Sequence, residues 1–216
     1  MGLFKKIISL MLASLVLTFM VSSHAATMGH GPMKGDFTLL NAKGETVDQN
    51  ILNNRLTLVY FGYTSCFMQC PPSWITLDAV MNELGPKVKD LQVLFISIDP
   101  QRDTVENIAE WQKTWPNLTI LTGSPDQIEH AAKEVFHIFY AKKPMHAMPF
   151  AKKEMMAIFK KYEADKRVKW NVKKADNYYM MDHTTQVFLL GRDHRYITHF
   201  EKEEPAKTII DIINKQ

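Results

Sequence analysis

The feature that most constrains this chain is the junction between residues 56 and 84. Leu56-Thr57-Leu58-Val59-Tyr60-Phe61 is an unbroken run of β-forming residues, the pattern of a buried strand. It ends in a turn, Gly62-Tyr63-Thr64-Ser65, and two cysteines follow at Cys66 and Cys70. Pro71 and Pro72 come next, where a first helical turn tolerates proline. Trp74, Leu77, Met81 and Leu84 then recur at helical spacing, and Gly85-Pro86 stops the helix. Strand, cysteine pair and helix therefore have to share one core.

The rest of the chain repeats this alternation. Phe37–Leu40 and Thr46-Val47 flank Asn41-Ala42-Lys43-Gly44, a hairpin signal. Val93–Ile98 reads as a second buried strand, broken by Asp99-Pro100. Asp103 with Glu106 resembles a capping pair for a helix running to about Lys113. Leu118–Leu121 reads as a short strand and Asp126 to about Phe139 as a helix. Gln186–Leu190 and Tyr196–Phe200 flank Gly191-Arg192-Asp193-His194 as a hairpin, and Pro205 opens a last helix carrying Ile209, Ile210 and Ile213. The order is hairpin, β, α, β, α, β, α, β-hairpin, α. It predicts an α/β domain of the thioredoxin-like layout, with an N-terminal β-hairpin and an inserted basic segment before the last hairpin. The insertion spans about 142–177, and Met155, Ile158, Phe159 and Tyr162 give Ala151–Tyr162 the apolar face of a short helix.

Residues 1–25 read as an address rather than as fold. Lys5 and Lys6 precede an apolar run from Ile7 to Val21, and Ser23-His24-Ala25 supplies a small-x-small end, the pattern of a secretory signal. The run is short of the ~20 residues a spanning helix needs, and an uncleaved membrane anchor is the alternative. Both place the domain outside the cytoplasm, in the periplasm of a bacterium. Residues 26–35 form a flexible lead-in, and 36–216 the domain.

Charge argues against nucleic acid as a partner. The chain is +3 at pH 7, and residues 1–25 hold two lysines and no acid, which leaves +1 for the remainder. Residues 142–174 nevertheless carry eleven Lys or Arg against three acids. That face suits an acidic protein surface, anionic lipid or plain solvation.

The cysteines admit three uses. A helical first turn puts positions i and i+4 on one face, so both sulfurs can address one atom. Unpaired N–H groups at the helix start are expected to favour thiolate over thiol. Thiolates select soft metals such as Cu(I), and a redox pair is equally compatible with the spacing. A structural disulfide closing so short a loop would contribute only roughly 2 kcal/mol. Two Met/His groups, Met28-His30-Met33 and Met145-His146-Met148, are either auxiliary metal sites or ordinary loop residues.

Three motifs in order resemble the Sco/SenC family: Phe61-Gly62-Tyr63-Thr64-x-Cys66-x-x-x-Cys70-Pro71, then Ser97-x-Asp99-Pro100-x-Arg102-Asp103-Thr104, then Asp182-His183 before a strand. The resemblance runs from about Gly35 to the C-terminus. It implies a thioredoxin fold that binds copper through Cys66, Cys70 and His183. It also implies a metallochaperone for the binuclear copper centre of cytochrome c oxidase, whose partner is a copper-accepting protein such as subunit II. The alternative is a thiol-disulfide oxidoreductase in which Cys66 attacks and Cys70 resolves, with a thiol-reducing partner. A peroxide-reducing relative on the same fold leaves His183 unexplained. A monomer is expected. The chain departs from the family at Phe67 and Met68, where Pro and Asp are common, and in its longer segment before Asp182.

Overall fold

The computed structural model describes residues 35–66, 69–144 and 179–216. Seven strands form one sheet: β1 (Thr38–Asn41), β2 (Thr46–Asp48), β3 (Leu56–Gly62), β4 (Leu91–Ser97), β5 (Thr119–Thr122), β8 (Val187–Leu190) and β9 (Tyr196–Phe200). Their spatial order is β2-β1-β5-β4-β3-β8-β9. β3, β4 and β5 run parallel, with Leu56 opposite Leu91 and Leu94 opposite Thr119. β1 joins β5 antiparallel, and β8 joins β3 antiparallel. This is a thioredoxin-like α/β architecture.

Every residue of β3 and of β4 is buried. Parallel strands covered on both faces read as unbroken apolar runs, which is why these two were the plainest in the sequence. Helix α1 (Cys70–Glu83) leaves the end of β3 and packs Trp74 against Phe95 of β4, with ring centroids 5.9 Å apart. α2 (Val105–Thr114) closes against the same tryptophan through Trp111, at 4.7 Å. Gly85, at φ 68, ends α1 in the left-handed region that glycine occupies without strain.

One expectation is corrected in the middle of the chain. The single helix expected over Asp126–Phe139 is a short α3 (Pro125–Glu129) that widens into a π-helical turn, His130–Val135. His137 then turns into the left-handed region at φ 54, and the chain is extended over Tyr140–Pro144. The segment expected to be inserted from about Lys142 opens with a strand. Lys142 and Lys143 lie in β6 (Tyr140–Pro144), which pairs antiparallel with β7 (Tyr179–His183) in a separate two-stranded ribbon. The amphipathic helix expected at Ala151–Tyr162, the leader and both Met/His groups lie outside the described residues. A C-terminal helix, α4 (Ala206–Ile213), packs beside α1 through a buried face of Ile209 and Ile213. No helix among the described residues is long and apolar enough to cross a membrane.

Candidate metal centre

Three elements converge where β3 ends. Cys66 lies in the loop after β3, Cys70 is the first residue of α1, and His183 is the last residue of β7. All three are buried, and their donor atoms lie within 4.8 Å of one another. Cys70 Sγ is 3.6 Å from His183 Nε2. The Cys70 backbone N–H donates to Cys66 Sγ at 3.3 Å, so the opening turn of α1 folds one sulfur back toward the other.

Local sequence explains the convergence. Gly62 is the residue that lets Cys70 approach the strand. A Cβ there would stand 2.9 Å from Cys70 Sγ, 2.9 Å from the Tyr60 ring and 3.0 Å from the Phe95 ring. The imidazole is fixed by the chain's next carbonyl. His183 Nδ1 lies 2.7 Å from the Thr184 oxygen, which can only accept, so Nδ1 carries the proton and the Nε2 lone pair faces the sulfurs. Tyr60 and Tyr63 stand edge-on to the imidazole at 6.4 and 5.9 Å.

The electrostatics correct one expectation. A helix start was expected to favour thiolate, but burial dominates at Cys70 and pushes its thiol well up, with the neighbouring Cys66 adding to the effect. Burial also raises Tyr60 and Tyr63, so both stay neutral phenols. Two buried sulfurs side by side resist ionising together unless a cation arrives with them. Bonds of ~2.3 Å to sulfur and ~2.0 Å to nitrogen, opened to 120°, set the two donors ~3.7 Å apart. The Cys70–His183 separation fits that value, and soft sulfur with imidazole suits copper.

Asp103 is not the helix cap that its spacing to Glu106 suggests. Thr104 caps α2, its hydroxyl accepting from the Asn107 N–H. Asp103 is fully buried and accepts from the Thr64 N–H at 2.9 Å, the Thr64 hydroxyl at 2.5 Å and the Ser97 hydroxyl at 2.6 Å. It ties the cysteine loop to the end of β4. Asp182 points away from the imidazole, as strand alternation requires, and accepts from Lys143 Nζ at 2.5 Å. Sequence reasoning did not single out Tyr60, Tyr63 or Tyr179 for the site. The period-two alternation that puts Tyr60 on the face of Gly62 was the one available signal.

The family model for SCO1/SenC matches residues 25–157 and 150–216. The chain belongs to the SCO1/SenC family. It is 29% identical over 183 residues to an SCO2-like protein of Rickettsia prowazekii, an alignment covering 84% of this chain and 76% of that one. Its fold matches Arabidopsis thaliana ScoI, solved with copper bound, at a TM-score of 0.65 and 25% identity, over 85% of this chain and 96% of that one. It also matches BsSco, described as a member of the Sco family of cytochrome c oxidase assembly proteins and as having a disulfide switch. There the TM-score is 0.54 at 20% identity, over 88% of this chain and 97% of BsSco. This SCO1/SenC chain keeps both motif cysteines and the motif histidine in one cluster, despite Phe67 and Met68 between the cysteines.

Proposed function

We propose that this chain is a copper metallochaperone that works outside the cytoplasm in the assembly of cytochrome c oxidase, and that Cys66, Cys70 and His183 hold the copper. The observation that carries the reading is the buried two-sulfur, one-imidazole cluster, with donors within 4.8 Å of one another. Family membership and the copper-bound state of a structural relative support it.

Copper is cargo in this reading. Three-coordinate Cu(I) leaves room for an incoming thiolate to add before a resident one departs. A copper-accepting protein such as oxidase subunit II would receive it. The His183 Nε2 donor is the readiest to leave, because it is neutral and stays bonded to Thr184 through Nδ1. Residues 1–25 act as an export signal or inner-membrane anchor facing the periplasm, residues 26–35 as a lead-in, and the domain works as a monomer with no nucleic-acid partner.

An anaerobic Cu(I) titration of the reduced protein against a chromophoric chelator tests the site. One tightly held copper is expected, and His183→Ala weakens it tenfold or more, about 1.4 kcal/mol. Equal affinity in the variant, or no competition by the wild type, would overturn the assignment.

A second use of the same pair is favoured by the proximity of the two sulfurs. Cys66 and Cys70 reduce an acceptor's disulfide to two thiols and close their own disulfide in exchange. A purely redox pair has no need of His183, so the effect of His183→Ala on copper separates the two uses.

A further inference from the structure

The second family-like motif, Ser97-x-Asp99-Pro100-x-Arg102-Asp103, has no donor atom in the cluster, yet it touches both halves of it. Its Asp103 end holds the cysteine loop through Thr64. Its other end reaches the ribbon that carries the histidine. Tyr179, the first residue of β7, donates its hydroxyl to Asp99 Oδ1 at 2.6 Å. Arg102 donates through Nε to Asp99 Oδ2 and through a terminal nitrogen to the Tyr179 carbonyl at 3.0 Å. The same guanidinium lies 3.9 Å from the centre of the Tyr179 ring and 5.2 Å from that of Tyr63. Lys142 covers the Tyr179 ring at 3.7 Å.

The need for such a tie follows from the sheet topology. Among the described residues β7 pairs with β6 alone, and the ribbon shares no strand ladder with the seven-stranded sheet that positions the cysteines. Apart from the three-residue link from His183 to β8, side-chain contacts therefore set the distance from His183 to Cys70. Tyr179 and His183 stand four residues apart, which puts them on one face of β7, ~13 Å from each other along the strand. Building on the copper-carrier reading above, we infer that Asp99 and Arg102 are positioning residues that clamp Tyr179 and so hold His183 in register with the cysteine pair. The clamp is anchored on a buried carboxylate. Asp99 is 3% exposed, and the guanidinium fork uses two different edges, which a lysine cannot reproduce.

A double-mutant cycle tests the clamp. Arg102→Ala is expected to weaken Cu(I) binding about 10-fold or more, the usual effect of removing a group that orients a ligand. In a His183→Ala background it adds no further loss, because no ligand remains for the clamp to position. Tyr179→Phe, which removes only the hydroxyl bond to Asp99, shows a smaller loss with the same dependence on His183, and serves if Arg102→Ala does not fold. Hydrogen exchange on the copper-free protein gives a second readout. Amides of Met181–Thr184 exchange faster in either variant while those of β3 and β4 are unchanged. Equal losses in both backgrounds, no loss in either, or faster exchange spread through β3 and β4 overturns the clamp. The exchange result needs no copper, so it decides the clamp even where the wild type fails to bind the metal and the carrier reading falls instead.

Discussion

Cys70 Sγ and His183 Nε2 lie 3.6 Å apart across 113 residues of chain. That contact depends on Gly62, which faces the Cys70 sulfur from the end of β3. Any side chain at this position has to displace the sulfur or a buried ring.

Gly62→Ala is therefore expected to damage the site and the core together. The added methyl meets Cys70 Sγ and the Tyr60 ring at 2.9 Å, and neither can withdraw into solvent. Overpacking of this kind costs about 1–3 kcal/mol. Denaturant unfolding reads the stability loss, and chelator competition reads a parallel loss of Cu(I) affinity. Wild-type values in both would show that the sulfur is free to move.

Asp103 gives a pH dependence whose sign is fixed. Burial pushes its carboxyl up to about 6, against the three hydrogen bonds that work the other way. A raised carboxyl favours the protonated folded state. Its contribution to stability is present below the ordinary carboxylate range and is lost as pH rises through about 6. Asp103→Asn removes that dependence. The stability gap between wild type and variant should shrink by something of order 3 kcal/mol between pH 4 and 7. Urea denaturation of both proteins across that range checks it, and a gap that widens with pH refutes the burial argument.

The parts of the fold that were legible in the sequence are those buried on both faces. β3 and β4 announce themselves because composition alone marks a strand with no solvent side. The cysteine pair was legible because its spacing and the following prolines are local. What escaped was non-local. Asp103 followed by Glu106 satisfies a capping pattern, but the hydrogen bond that matters goes to Thr64, 39 residues away. β7 has mixed burial and pairs with a strand beginning at Tyr140, so nothing near His183 marks it as the end of its own ribbon rather than the lead into β8. The turn of π-helix before His137 likewise breaks a periodicity that reads as one continuous helix.

The Tyr60 hydroxyl is expected to be dispensable for folding. It is fully buried beside Cys70 and, among the described residues, makes no hydrogen bond of ordinary geometry. An unsatisfied buried polar group costs about 1–3 kcal/mol. Tyr60→Phe should leave the copper-free protein as stable as wild type or more so. Marked destabilisation in a thermal melt would mean that the hydroxyl is bonded after all.

The two thiols should differ in reactivity in the folded protein. Thiolate is the species that alkylates, and burial holds the Cys70 thiol high, well out of the neutral range. Cys70 is also fully enclosed, at 0% exposure against 3% for Cys66. Native-state alkylation of Cys66→Ser and Cys70→Ser, followed by mass spectrometry, isolates each sulfur. At pH 7 the remaining Cys70 is expected to react at least about tenfold more slowly than a free cysteine, since each unit of raised pKa costs tenfold in thiolate. Its rate should climb with pH into the alkaline range, because burial keeps the anion unfavourable until then. A Cys70 that alkylates as fast as a free thiol at pH 7 would show that the pocket opens to solvent, and that copper meets the site by another route than displacing two protons from buried sulfur.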